Sequence, residues 1–145
     1  KMDIDKIIKA LTANSRFFHA FREEEMMDFL KRCTSKSHRD GEVIFREDSN
    51  GTELFIIVSG SVRVKKDGRI IDVVRSGECF GEMGALSGEA RSATMEANGD
   101  VVLLAIDEKK IATLPVEAQA KLFKNTLMVV SERLRKRLEE RSHGG

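Results

Sequence analysis

From Asp3 to Cys33 the apolar residues fall at helical steps, first Ile4, Ile7, Ile8 and Leu11, then Met26, Met27, Phe29, Leu30 and Cys33. The stretch "TANSR" separates the two runs with cap and turn chemistry, and Phe17, Phe18 and Phe21 supply an apolar elbow between them. From Gly41 the texture changes. "GEVIFR", "ELFIIVSGSVRVKK", "RIIDVV", "RSATMEA" and "VVLLAI" are short, β-branched runs cut by glycine, and each predicts a strand. "KDGR" joins two of them with an Asp-Gly hairpin signal, while "SNG", "SGE" and "ANGD" mark further turns. Many short antiparallel strands at even spacing predict a small barrel or jelly roll.

After Ile106 helical periodicity returns. Asp107 is a good N-cap, "EKKIATL" supplies one or two turns, and Pro115 opens a long helix where its missing N–H costs nothing. Along it Phe123, Leu127, Val130, Leu134 and Leu138 repeat at three- and four-residue steps, close to a heptad seam. This seam is suited equally to pairing with a second copy and to packing on the chain's own barrel. The expected plan is a helical segment (1–40), a β region (41–106) and C-terminal helices (107–145), together one α+β, mainly β domain.

Length and charge narrow the classes. The 145 residues suffice for one domain with a real core, and 25 basic against 24 acidic side chains give no global field towards DNA or an anionic membrane. The longest apolar runs, "LFIIV" and "VVLLAI", are strand-sized and too short to span a bilayer, so no membrane association is expected. Cys33 and Cys79 read as two small thiols in a reducing cytosol, which implies a cytoplasmic protein. His19, His38 and His143 lack metal-ligand spacing, and the β region contains no histidine. A metal-dependent jelly-roll enzyme is therefore not expected, nor is a nucleophile–base pair visible.

The chemistry concentrates in "FGEMGALSGEARSAT", residues 80–94. Gly81 permits an unusual φ and close backbone approach, and the residues after it can make one short helical turn whose free N–H groups attract an anion. Arg91 could fold back over that spot and hold two phosphate oxygens in one plane, which lysine would not reproduce. Ser92 and Thr94 add hydroxyls. Glu82 repels phosphate but accepts from a sugar hydroxyl. An acid and a guanidinium at one turn suit a ligand with a hydroxyl close to a single anion, among which a cyclic nucleotide is one candidate. A structural Glu–Arg ion pair on a turn is the competing explanation.

The pattern Phe80-Gly81-Glu82-Met83-Gly84-Ala85-Leu86, followed by Arg91-Ser92-Ala93-Thr94, resembles the phosphate-binding cassette of the cyclic nucleotide-binding domain family. Gly41 to Val64 resembles that family's opening strands, and the helix–barrel–helix plan fits throughout. The resemblance implies a double-stranded β-helix and a non-catalytic regulatory module. Glu82 would hold a ribose 2′-hydroxyl and Arg91 the cyclic phosphate. Backbone N–H groups of Gly81, Glu82, Met83, Ser92 and Ala93 would assist, and Val64, Ile71, Val74 and Met83 would line sugar and base. Two positions depart from the family pattern: Asp48 stands where glycine is frequent, and Ala90 replaces a common proline.

A hydroxyl at Ser92 favours cGMP in several eukaryotic relatives. The tetrad "ARSA", however, is similar to bacterial catabolite activators that respond to cAMP, so cAMP and a bacterial source are implied. No further cofactor is expected. The long helix would close over the base, Arg137 supplying a polar base contact, and the apolar seam would offer a homodimer surface. The alternative is the sensor portion of a catabolite-activator-type transcription regulator, a channel or a kinase. Because "ERSHGG" follows the long helix with no helix-turn-helix, direct DNA binding by this chain is not expected.

Overall fold

The computed structural model describes residues 3–143, without the side chains of Asn14, Met83, Ser142 and His143. The chain runs α1 (Ile4–Asn14), a 3₁₀ turn (Arg16–Phe18), α2 (Glu23–Arg32), β1 (Thr34–His38), β2 (Val43–Phe45), β3 (Glu53–Lys66), β4 (Arg69–Arg75), β5 (Cys79–Phe80), α3 (Glu82–Ser87), β6 (Thr94–Asp107), α4 (Glu108–Ile111) and α5 (Val116–His143). All strands pair antiparallel in one six-stranded sheet of order β1-β6-β3-β4, with β2 also on β6 and β5 on β3. The mainly β architecture with flanking helices and a long C-terminal helix is thus the one its sequence texture predicts. Among the described residues no helix is long and apolar enough to cross a membrane.

The two longest apolar runs form the middle of the sheet, and period-two alternation divides them between two cores. Leu54 and Ile56 of β3, with Leu104 and Ile106 of β6, face the helices and join Leu11, Phe17, Phe29, Leu30 and Leu122. Phe55, Ile57, Leu103 and Ala105 point the other way, into a second cluster with Val62, Val74, Phe80 and Met95. Burial on both faces explains why these strands read as continuous apolar runs.

Two boundaries differ from expectation. β1 lies inside the stretch assigned to the helical segment. It is a polar edge strand, "TSKSH", pairing with Val101 to Ala105, and shows no apolar alternation to announce it. The "ANGD" turn does not end a strand either. β6 runs through it because Ser59 pairs with Val102 but Ser61 with Asn98, so a bulge absorbs the extra residues. Gly60 makes this bulge feasible: its φ is +88°, and a Cβ there would meet the Asp100 carbonyl oxygen at 2.4 Å.

The N-terminal helices dock on α5. Phe18 sits edge-on to Phe21 and Phe29, with ring centroids 5.3 and 5.2 Å apart. The buried Asn125 side chain of α5 donates to the carbonyls of Phe17 and His19, both at 2.8 Å. Ala118, Leu122 and Thr126 complete the buried stripe, while Phe123, Leu127, Leu134 and Leu138 are exposed. Most of the predicted seam is therefore open to solvent, with Val130 half-buried.

Glu25 of α2 also faces α5. Its carboxylate accepts from Lys121 and from the Arg22 backbone N–H, which hold its pKa down at about 2 against an ordinary 4.5. The carboxylate adds to stability above pH 4.5, and that contribution disappears as the pH falls towards 2. Glu25→Gln is expected to cost about 1–3 kcal/mol at neutral pH. It should also flatten the decline in melting temperature across that acid window, which thermal denaturation against pH will read.

Candidate functional site

The site is assembled where β5 hands over to α3. Gly81, at φ +81°, turns the chain from the strand Cys79–Phe80 into the six-residue helix, so the first N–H groups of α3 follow immediately after a left-handed residue. Arg91 returns to this corner on the far side of the exposed loop. Its backbone is fixed on both sides: its N–H donates to Ser49 O at 2.9 Å, and its carbonyl accepts from Asp48 N–H at 2.7 Å. Asp48 does this at φ +65°, so the aspartate adopts the conformation that glycine would take most readily.

Arg91 as a residue is 5% exposed. Nη1 donates to Gly81 O at 3.0 Å and Nη2 to Glu53 O at 2.9 Å. The Phe45 ring lies 4.2 Å beneath it. Glycines surround the fork: a Cβ on Gly51, Gly81 or Gly84 would approach an Arg91 nitrogen to 2.9, 2.9 or 2.7 Å. Nε is buried with no partner. Among the described residues no carboxylate lies within ion-pair distance of Arg91, and Glu82 pairs with Arg133, so the competing explanation of a Glu82–Arg91 ion pair on the turn is not met. Burial pushes its proton affinity down, partly offset by the fields of Glu53 and Glu82. A desolvated cation without a counter-ion is costly, and an incoming anion removes that cost.

Glu82, 13% exposed, is engaged elsewhere. Arg133 of α5 reaches it at 3.5 Å, approaches Glu78 at 3.5 Å and donates to Cys79 O at 3.1 Å. One side chain of the long helix therefore ties it to β5 and α3 together.

These groups line a cavity of about 310 Å³. Its walls are Phe45, Val64, Val74, Phe80 and Met95 from the strands, Gly81, Glu82 and Gly84 from the turn, and Ala90, Arg91, Ser92 and Ala93 from the returning loop. Val130, Arg133, Leu134 and Arg137 of α5 lean over it. Of the residues expected at the site, Gly81, Glu82, Arg91, Ser92, Ala93, Val64, Val74 and Arg137 meet here. The Met83 side chain lies outside the described residues.

Ile71 is the exception. It is 45% exposed and lines the neighbouring cleft instead. Val62 pairs with Val74 and Val64 with Asp72, so Asp72 shares the inward face of Val74 and Ile71, three residues from Val74, takes the other, as the extra residue of the bulge that follows. Sequence reasoning missed Arg133, Asp72, Glu78 and Phe45. For Arg133 a signal existed, since Val130, Arg133, Leu134 and Arg137 share one helical face.

Comparison with known proteins places the fold and the family. The family model described as "Cyclic nucleotide-binding domain" matches residues 35–115. A cGMP-dependent protein kinase of Toxoplasma gondii is 29% identical over 116 residues, covering 80% of this chain and 12% of the kinase. The chain thus spans about an eighth of that relative's length. The crystal structure of Thermus thermophilus catabolite activator protein superposes with TM-score 0.77 and 28% identity, over 88% of this chain and 62% of that one. The regulatory domain of Toxoplasma gondii PKA, crystallised with cAMP, shares the fold at TM-score 0.72 and 24% identity, over 83% of this chain and 48% of that one.

Proposed function

Because the chain belongs to the cyclic nucleotide-binding domain family, we propose that it is the sensor part of a regulatory protein, capturing cAMP and relaying that capture through α5. The observation that carries this reading is Arg91, a buried guanidinium with an orphaned Nε, no carboxylate partner among the described residues and a cavity in front of it. A cyclic phosphate supplies two acceptor oxygens to such a fork and discharges the desolvated cation. Gly81 and Glu82, whose N–H groups open α3, line the same cavity and add backbone donors for an anion. Val64, Val74 and Met95 give the sugar and base apolar walls.

The relay follows from Glu82. A ribose 2′-hydroxyl donating to this carboxylate draws on the charge that Arg133 engages through Oε1 at 3.5 Å. Since Arg133 holds α5 against β5 and α3, the empty and filled states differ in contacts made by the helix. That difference is what a ligand needs in order to shift a conformational equilibrium. The exposed seam of Phe123, Leu127, Leu134 and Leu138 favours pairing with a second copy along α5, which sedimentation equilibrium will read directly.

Calorimetric titration of the purified chain tests the proposal. Binding of cAMP at micromolar affinity or tighter is expected, with cGMP weaker. 2′-Deoxy-cAMP, lacking the hydroxyl that reaches Glu82, is expected to bind about tenfold more weakly, the loss of one hydrogen bond to a charged acceptor. Absence of binding by all three nucleotides would overturn the reading.

A further inference from the structure

The cavity opens on one side. Asp72, Glu78, Arg133 and Arg137 line both it and an adjoining cleft of about 1020 Å³ between β4 and the C-terminal half of α5, whereas Arg91 and Ser92 line the cavity alone. Four charged side chains therefore mark its outer end, and Arg91 its inner one. Glu78 and Arg133 already lie within 3.5 Å of each other. Asp72 and Arg137 are uncommitted. One Asp72 oxygen, Oδ1, accepts from the N–H of Val73 at 2.7 Å, but Oδ2 and the Arg137 guanidinium have no partner among the described residues. Asp72 is placed there by strand alternation: it lies two residues from the buried Val74 and pairs with Val64, so its side chain rises on the cavity face.

A nucleotide anchored by its phosphate at the inner end presents its heterocycle to this outer pair. A carboxylate can only accept and a guanidinium only donate. Together they match a base edge on which an amino donor stands beside a ring-nitrogen acceptor. Adenine has this arrangement on both sides of its N6 amino group, towards N1 and towards N7. Guanine fits less well: its N7/O6 edge offers two acceptors, which oppose the carboxylate, its N2/N3 edge faces the ribose, and its Watson–Crick edge sets two donors, N1–H and the N2 amino group, side by side where Asp72 has only Oδ2 uncommitted.

We propose that Asp72 is a specificity-determining residue, accepting from the N6 amino group of adenine while Arg137 donates to the neighbouring ring nitrogen. This rests on the cyclic-nucleotide reading above and deepens it. Asp72 is exposed and its truncation leaves the core intact.

The test is titration of the wild-type chain and the Asp72→Ala variant with cAMP, with cGMP, and with the 3′,5′-cyclic monophosphate of purine riboside, which lacks the amino group. The wild type is expected to favour cAMP over the purine analogue about tenfold, and Asp72→Ala to bind both alike at the weaker affinity. The inference fails if the variant loses affinity for both ligands equally or for neither, or if the wild type prefers cGMP and the variant loses that preference. Should no cyclic nucleotide bind the wild type at all, the functional reading itself falls and the inference with it, so the two failures remain distinct.

Discussion

Arg91→Ala is expected to weaken cAMP binding at least a hundredfold, the largest loss of any single substitution at the site. Arg91 is buried, so the phosphate its guanidinium meets is stripped of water on that side. Charge-assisted hydrogen bonds in such surroundings contribute about 1.5–3 kcal/mol each, and two of them exceed the roughly 2.8 kcal/mol that a hundredfold represents. Arg91→Lys should recover little, because a point charge on a flexible stem does not reproduce a fork held by two carbonyls and three glycines. Glu82→Ala should cost only about tenfold, since losing the hydroxyl contact is offset by removing a carboxylate that repels the phosphate. Arg135→Ala supplies the control: its side chain is 70% exposed and does not line the cavity that holds Arg91, so binding should be unchanged. Equal losses for Arg91→Ala and Arg135→Ala in calorimetry would remove Arg91 from the anion site.

What the primary structure discloses depends on whether a signal is local. The β5–Gly81–α3 corner and the return of Arg91 lie within one short stretch whose glycine, acid and arginine spacing carries its own geometry, so the structure gathers these residues as their order suggests. Elements with strong periodicity, α1, α2, β3 and α5, were legible for the same reason. β1 was not, because an edge strand of Thr, Ser, Lys and His has neither alternation nor apolar content. Ile71 was legible but misassigned: it lies three residues from Val74, an odd step that puts the two on opposite faces of a strand, whereas Asp72 shares the face of Val74. Arg133 is a further step removed. Its contact with Glu82 spans 51 residues of chain and exists only because Asn125 and the buried stripe of α5 fix how that helix lies on the 3₁₀ turn. The apolar seam was visible as a pattern, but whether it faces the barrel or the solvent depended on which stripe of α5 the N-terminal helices claimed.

The same distinction makes Gly84 informative. It lies in α3 and was part of the sequence pattern, yet its necessity is visible only in three dimensions. A Cβ there would stand 2.4 Å from the Gly51 carbonyl oxygen and 2.7 Å from Arg91 Nη1. Neither neighbour is the free end of a flexible chain: one is backbone, and the other is a guanidinium held by Gly81 O and Glu53 O. Gly84→Ala is therefore expected to destabilise the fold by about 2 kcal/mol, in the range of overpacked sites, and to lower the melting temperature by roughly 5–10 °C. It should also weaken cAMP binding by at least tenfold in the folded variant, because displacing the fork misaligns both of its bonds to the phosphate. Gly88 separates this from a general weakening of α3. It caps the same helix at φ +73°, but a Cβ there would meet nothing within 4 Å. Gly88→Ala should cost about 1 kcal/mol of left-handed strain and leave affinity where it was. If both variants bind equally poorly at a temperature where both are folded, the glycines serve only the helix, and the close fit around Arg91 is not what places the guanidinium for the anion.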